Sequence, residues 1–162
     1  MTTKTPMISV IIPVHNRRAL IARAIGSVSR QTYTDWELIV VDDASTDGTF
    51  EEVRALTDGW SNVQCVQTRV NQGGAHARNV GAGLARGQWL AFLDSDDEWA
   101  PAKLEKQAWH LKPGRVLCTY YIQEGRYRRR RVGRKDIPVG NVRRDLLKGK
   151  CASINSSVLV ET

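Results

Sequence analysis

The sequence predicts an α/β layered domain around a mostly parallel central sheet, and three observations predict it. Apolar runs and helix-spaced segments alternate along the first two-thirds of the 162 residues, the order from which parallel sheets are built. Those runs are continuous in their apolar character, as suits strands buried on both faces. Two of them also empty directly into carboxylates: Glu37-Leu-Ile-Val-Val-Asp42-Asp43 and Trp89-Leu-Ala-Phe-Leu-Asp94-Ser95-Asp96-Asp97-Glu98. In open α/β sheets ligands bind outside the carboxyl ends of the strands, so both acid clusters are expected at one edge. Crowded carboxylates repel one another, and a divalent cation between them would offset that repulsion.

The elements follow in order. Met7 to Pro13 reads as the first strand, with Pro13 ending it because proline cannot donate to a ladder. Leu20, Ile21, Ala24, Ile25 and Val28 recur at helical spacing and predict a helix over Arg18 to Arg30. The second strand spans Glu37 to Val41, and Thr49 with Glu52 offers a capping box for a second helix. Val63 to Gln67 is a third strand. Gly73-Gly74 precedes a helix with Ala77, Val80, Ala82, Leu84 and Ala85, small enough to pack closely on a sheet. Trp89 to Leu93 is the fourth strand. Pro101 suits the first turn of a helix through Leu111, which Pro113-Gly114 ends. Val116 to Ile122 is a fifth strand, and Val158-Leu-Val160 reads as a strand cut off mid-element.

This length suits a single domain over residues 1–162, able to bury roughly two-thirds of its unfolded surface. No apolar stretch nears the ~20 residues of a membrane span, and the N-terminus lacks the layout of a secretory signal. Cys65, Cys118 and Cys151 are widely spaced without a CxxC pair, which fits reduced, buried thiols in a cytoplasmic protein. Charge is unevenly spread. Arg115 to Lys150 carries twelve basic residues against Glu124, Asp136 and Asp145, a net +9 that leaves −2 for the rest of a +7 chain. The basic region, 124–150, reads as a solvated loop or hairpin, or as a surface for anionic membrane lipid. Nucleic acid is not expected as a partner, since no recognised binding motif accompanies the basic run.

Asp94-Ser95-Asp96 directly after a buried strand offers hard oxygen ligands at a spacing suited to Mn²⁺ or Mg²⁺. The plainer alternative, acids capping the helix near Pro101, is served as well by Asp97 or Glu98. Asp43, and less so Asp42, could accept from a nucleobase imide or ribose hydroxyl, or could cap a loop. Asp47-Gly48 reads as a turn before Thr49. In Asn71-Gln-Gly-Gly-Ala-His-Ala-Arg78, glycines open a helix whose N-terminus favours anions, with Arg78 one turn inside to grip phosphate or to pair with an acid. His15, His76 and His110 show no ligand spacing and read as structural or surface residues.

In order, Ile8-Ser-Val-Ile-Ile-Pro-Val-His-Asn16, Val40-Val-Asp-Asp-Ala-Ser-Thr-Asp-Gly-Thr49, Asn71-Gln-Gly-Gly-Ala-His-Ala-Arg-Asn-Val-Gly81 and Phe92-Leu-Asp-Ser-Asp-Asp97 resemble glycosyltransferase family 2. The match is close from about Pro6 to Leu111 and loose beyond. The resemblance implies the GT-A fold, a Rossmann-related α/β/α arrangement, with a nucleotide-diphospho-sugar donor and sugar transfer with inversion, of the kind that builds cell-surface polysaccharides. Position by position it implies that Pro13, Val14 and Asn16 line the nucleoside and that Asp43 bonds uracil in a UDP-sugar. It sets Arg78 near the diphosphate, Asp94 near the ribose, and Asp96 on the metal, Mn²⁺ or Mg²⁺. The acceptor it implies is a saccharide or lipid-linked saccharide, reached in the cytoplasm or at the inner face of the membrane.

An inverting enzyme also needs a base for the acceptor hydroxyl. In the family that carboxylate follows the acceptor-side strand, and no Asp or Glu after Glu124 fits it. The base is therefore expected beyond Thr162, and the chain is expected to be the donor-binding half of a longer enzyme. Competing readings are a sugar nucleotidyltransferase and a non-catalytic binding module. The first is opposed by Pro-Val-His-Asn-Arg-Arg18 where a glycine-rich, arginine-containing loop would stand, and the absence of GxGxxG after the first strand opposes a dehydrogenase.

Overall fold

A computed structural model describes residues 5–112 and 158–162, with the strand backbones of 116–118, 121–124 and 129–132. Its strands are β1 (Ile8–Val14), β2 (Trp36–Asp42), β3 (Val63–Gln67), β4 (Trp89–Phe92), β5 (Val116–Cys118), β6 (Tyr121–Glu124), β7 (Arg129–Val132) and β8 (Val158–Glu161); its helices are α1 (Arg18–Ser29), α2 (Thr49–Leu56), α3 (Gly74–Leu84) and α4 (Lys103–Ala108). The main sheet runs β3-β2-β1-β4-β8-β5. Its first four strands are mutually parallel, and β8 runs antiparallel to both β4 and β5. Strands β6 and β7 form a separate antiparallel pair.

Strand β1 is buried throughout and serves two cores. Ile8, Val10, Ile12 and Val14 face a cluster with Ile21, Ala24, Ile25 and Val28 of α1, Val53 of α2 and Leu104 of α4. Ile11 faces the other way, with Ile39, Val41 and Leu90, against Ala77 and the half-buried Val80 and Leu84 of α3. Period-two alternation on a two-sided strand thus produces the expected α/β/α layering.

The register sets the site. Val14 pairs with Asp42, Asp42 with Gln67, and Ile11 with Phe92. The C-terminal ends of β1 and β2 are therefore level, and β4 ends at the same edge three residues short of Val14. From β1 the chain winds outward to β2 and β3, then returns to place β4 on the opposite flank of β1. That reversal between β1 and β4 makes the switch point where open sheets bind ligands.

Several expectations are corrected. Pro13 does not end β1; it pairs with Val41 inside the strand. Val14 O accepts from Asp43 N on the β2 side, whereas Ile11 O accepts from Leu93 N on the β4 side. Alternation turns the Pro13 nitrogen toward β4 just past the end of that ladder, so the missing N–H costs no strand bond. The capping box does not form: Gly48 (φ 83°) occupies the cap position, and Thr49 is a buried first helical residue. Its hydroxyl bonds Asp47 Oδ1 and accepts from Arg17 N at 3.0 Å, so it ties two loops together. Helix α4 is shorter than expected, and the single strand foreseen over Val116 to Ile122 is two, β5 and β6, in different sheets. Leu93 falls just outside β4, and Val158–Glu161 forms β8 between β4 and β5. Cys65 is a half-buried free thiol; the side chains of Cys118 and Cys151, and the basic region 124–150 apart from the backbones of Glu124 and β7, lie outside the described residues.

Away from the strand ends, buried Glu37 binds the connection between α3 and β4. Its carboxylate accepts from Ser9 Oγ (2.6 Å), Arg86 N (2.7 Å) and Arg86 Nε (2.8 Å), while Ser9 Oγ accepts from Gly87 N (2.9 Å). Burial alone would raise its pKa, but the Ser9 hydroxyl, the Arg86 N–H and the Arg86 guanidinium together hold it below the ordinary 4.5. A lowered folded-state pKa contributes stability that is complete above 4.5 and fades as pH falls through the folded value. Urea midpoints should thus hold steady above about pH 5 and fall below it. Glu37→Gln should start less stable at neutral pH and show a shallower acid slope; an unchanged slope would assign the acid loss elsewhere.

Gly87 packs so tightly that a Cβ there would lie 2.6 Å from Ser9 N and 2.9 Å from Ile8 C. These are backbone atoms of β1 and cannot swing aside. Gly87→Ala is expected to cost about 2–3 kcal/mol by overpacking, lowering the melting temperature by about 5–10 °C. A calorimetric scan with an unchanged midpoint would contradict this packing.

Candidate functional site

A cleft of about 360 Å³ opens at the C-terminal edge of the sheet, lined by Pro13, Val14, His15, Arg17, Asp43, Asn71, Gly73, Gly74, Ala77, Arg78, Asp94, Ser95 and Asp96. Of the residues singled out from sequence, it brings together Pro13, Val14, Asp43, Arg78, Asp94 and Asp96. Asn16 stands beside the cleft without lining it. With φ 50° it turns the chain out of β1, its N–H donates to Ser45 Oγ (2.9 Å), and its Oδ1 accepts from Thr46 N (2.9 Å). Asp42 is buried and accepts from Ser45 N at 2.7 Å, so it caps its own loop.

Asp43 leaves β2 buried, 1% exposed. Its carboxylate accepts from Gly73 N (2.6 Å), Gln72 N (3.0 Å) and Thr68 Oγ1 (3.0 Å). Gln72 N also lies 3.2 Å from Oδ1, so each oxygen takes two contacts, and a bound N–H or O–H would take the place of the long Gln72 contact at Oδ1. Burial would raise its pKa, yet the Gln72 and Gly73 N–H groups, the Thr68 hydroxyl and nearby His15 hold it below the ordinary 3.8. It is therefore an acceptor, ready for an N–H or O–H of a bound molecule.

The same contacts shape the approach to α3. Gly73, at φ 88°, takes a backbone region that side chains disfavour, and its N–H also reaches Asn71 Oδ1 at 3.0 Å. The first-turn N–H groups of α3 that follow have no intrahelical acceptors and lie at the cleft. Arg78 stands one turn in, its Nη2 2.5 Å from Asp94 Oδ1, both side chains about a quarter exposed. The guanidinium lies against Gly74, where a Cβ would come within 3.2 Å of Nη1. Arg78 thus offsets part of the acid cluster, and buried Arg78 Nε has no hydrogen-bond partner among the described residues.

Asp96 is exposed at the rim. Among the described residues no group of three or more His, Cys, Asp or Glu side chains forms a metal cage. The oxygen set of Asp94, Ser95 and Asp96 instead fits a hard cation that takes few protein ligands and completes its shell from phosphates and water.

His15 is the residue that sequence reasoning missed. It lines the cleft, and its Nδ1 lies 2.7 Å from the Asp43 carbonyl oxygen. A carbonyl only accepts, so Nδ1 carries the hydrogen, and Nε2 accepts from Asn16 Nδ2 at 3.1 Å. The available signal was position, between Val14 and Asn16 at the mouth of β1, not any ligand spacing. Arg17, also in the lining, was overlooked for the same reason. His76 meets Gln72 Nε2 at 3.2 Å, and His110 is absent from the cleft lining.

Residues 9–157 match the family described as Glycosyl transferase family 2. The chain is 34% identical over 121 residues, 73% of its length, to the UDP-Glc:alpha-D-GlcNAc-diphosphoundecaprenol beta-1,3-glucosyltransferase WfaP of Escherichia coli, and covers 47% of that protein. Among solved structures it is similar to S. aureus TarS 1-349 in complex with UDP (32% identity, 63% of this chain and 31% of that one, TM-score 0.60). It is also similar to the mannosyltransferase PcManGT from Pyrobaculum calidifontis in complex with GDP-Man and Mn2+ (30% identity, 74% and 37%, TM-score 0.66). The chain spans less than half the length of these proteins. The fold is that of the GT-A glycosyltransferases, and with the family match extending over most of its residues, the chain belongs to glycosyltransferase family 2.

Proposed function

We propose that the chain is the donor-binding part of an inverting glycosyltransferase that holds a UDP-sugar with Mn²⁺ or Mg²⁺ and delivers the sugar to a saccharide or lipid-linked saccharide. The observation that carries this reading is that Asp43, Arg78, Asp94 and Asp96, from three separate stretches of chain, line one cleft at the switch point. Asp43, ionised, takes the imide hydrogen of uracil in place of its long Gln72 contact, while the Pro13–His15 edge backs the nucleoside. Arg78 and the α3 N-terminus face the diphosphate. Asp96, supported by Asp94, would hold the cation, which when bound neutralises charge gathering on the departing diphosphate.

Transfer forms a bond from the acceptor oxygen to the anomeric carbon as the bond to the diphosphate breaks on the opposite face. The acceptor proton passes to a carboxylate base. Among the described residues the cleft holds no Asp or Glu later than Asp96, and Glu161 lines a different cavity at the N-terminal end of the strands with Met7 and Trp89. That the chain spans less than half the length of its relatives supports a base in the part of such enzymes that these 162 residues do not span. The net +9 of Arg115 to Lys150, with a lipid-linked acceptor named for the Escherichia coli relative, supports contact of the basic region with the anionic inner face of a membrane. Among the described residues no helix is long and apolar enough to cross one.

Calorimetry with UDP and with GDP, each with and without Mn²⁺, tests the donor reading. UDP should bind tighter than GDP and gain affinity from the metal; no binding of either would overturn it. Incubated with UDP-sugars and acceptors, the 162-residue chain should show no turnover at ordinary enzymatic rates.

A further inference from the structure

We infer that Gln31, remote from the cleft in sequence, is a positioning residue that fixes the segment carrying Asp94 and Asp96; the inference rests on the donor-site reading above. Gln31 follows α1 and is 5% exposed. Its amide is engaged at both ends: Nε2 donates to Ala100 O (2.8 Å) and Ser27 O (3.1 Å), and Oε1 accepts from Leu104 N (2.9 Å). Leu104 lies in the first turn of α4, where N–H groups lack intrahelical acceptors. The α4 cap residue, Ala102, makes no side-chain cap bond. Gln31 therefore caps α4 from 73 residues away and grips the chain just before it.

Neighbouring contacts close the same clasp. Thr32 N donates to Pro101 O (2.9 Å), Thr32 Oγ1 to Glu105 Oε2 (2.8 Å), and Arg30 Nη2 to Glu98 Oε1 (2.8 Å). Between β4 and α4 the chain has no regular structure. Its upstream end is held by the bond from Leu93 N to Ile11 O (3.0 Å). Its downstream end is held by the Gln31 clasp and by buried Trp99, whose ring lies 3.6 Å from Lys103 Nζ. Asp96 sits between the anchors, exposed, so its placement depends on both ends being fixed. Hard cations tolerate little displacement of their oxygen ligands, which makes the clasp a determinant of metal-assisted binding.

The test is Gln31→Met, close in volume and devoid of the three bonds, with UDP affinity measured calorimetrically with and without Mn²⁺. The Mn²⁺ enhancement should fall about tenfold, the range seen when the support of a metal ligand is lost, while metal-free UDP affinity changes less than twofold. Val53→Ala, a cavity in α2 remote from the clasp, should leave the enhancement intact at a comparable loss of melting temperature. An intact enhancement in Gln31→Met, an equal loss of metal-free binding, or the same loss in Val53→Ala would overturn the inference. Binding is reciprocal, so saturating UDP and Mn²⁺ should also slow amide exchange at Leu104 in the unsubstituted chain; unchanged exchange would overturn it without any variant. A parent chain that binds UDP with no gain from Mn²⁺ would instead overturn the donor-site reading beneath it.

Discussion

Asp96→Asn is expected to keep the fold and lose nearly all of the metal-dependent gain in UDP affinity, about 100-fold or more. Even outer partners of metal ligands are worth 10–100-fold, and a ligand itself should not count for less. Asp96 is exposed at the rim of the cleft, and exposed substitutions usually stay within about 0.5 kcal/mol. Its melting temperature should thus move by no more than about 2 °C. Titration of UDP with and without Mn²⁺, beside a thermal scan, reads both quantities. A large fall in melting temperature with the Mn²⁺ gain intact would mean that Asp96 serves the fold as a helix-capping acid.

Asp43→Ala should behave in the opposite way and damage both fold and binding. The buried carboxylate accepts from Gly73 N, Gln72 N and Thr68 Oγ1. Hydrogen bonds to a charged group contribute about 1.5–3 kcal/mol each. Water can replace part of them, since Gln72 and Gly73 are exposed, so we expect a loss of about 3 kcal/mol and a melting temperature lower by about 10 °C. Losing one charge-assisted bond to uracil should weaken UDP by about 10–100-fold. Pyrophosphate with Mn²⁺ separates the two roles. If Asp43 reads the base, UDP weakens and pyrophosphate does not; equal weakening would show that the acid only shapes the Asn71–Gly74 loop.

What the sequence made legible was local or periodic. Continuous apolar runs placed β1, β2 and β4, weak alternation placed β3, and carboxylates after β2 and β4 placed the cleft, because a parallel sheet brings the C-terminal ends of its strands to one edge. Other features depend on partners far along the chain. Whether Pro13 can sit inside β1 depends on β4 ending beside it, some eighty residues later. Thr49 looked like a cap because its spacing to Glu52 is right, but Gly48 took the cap position and Asp47 captured the hydroxyl. The Gln31 clasp joins a side chain to backbone 69 and 73 residues away, and no local pattern announces such a bond. His15 escaped notice because a single histidine carries no spacing; its meaning comes from the Asp43 carbonyl that the β1–β2 register sets beside it.

A crystal structure of the chain with UDP and Mn²⁺ tests the central claim most directly. It should show the uracil against Asp43, the diphosphate between Arg78 and the start of α3, and the ion bound by Asp96. Nucleotide seated at the opposite end of the strands, or an ion held away from Asp96, would contradict it.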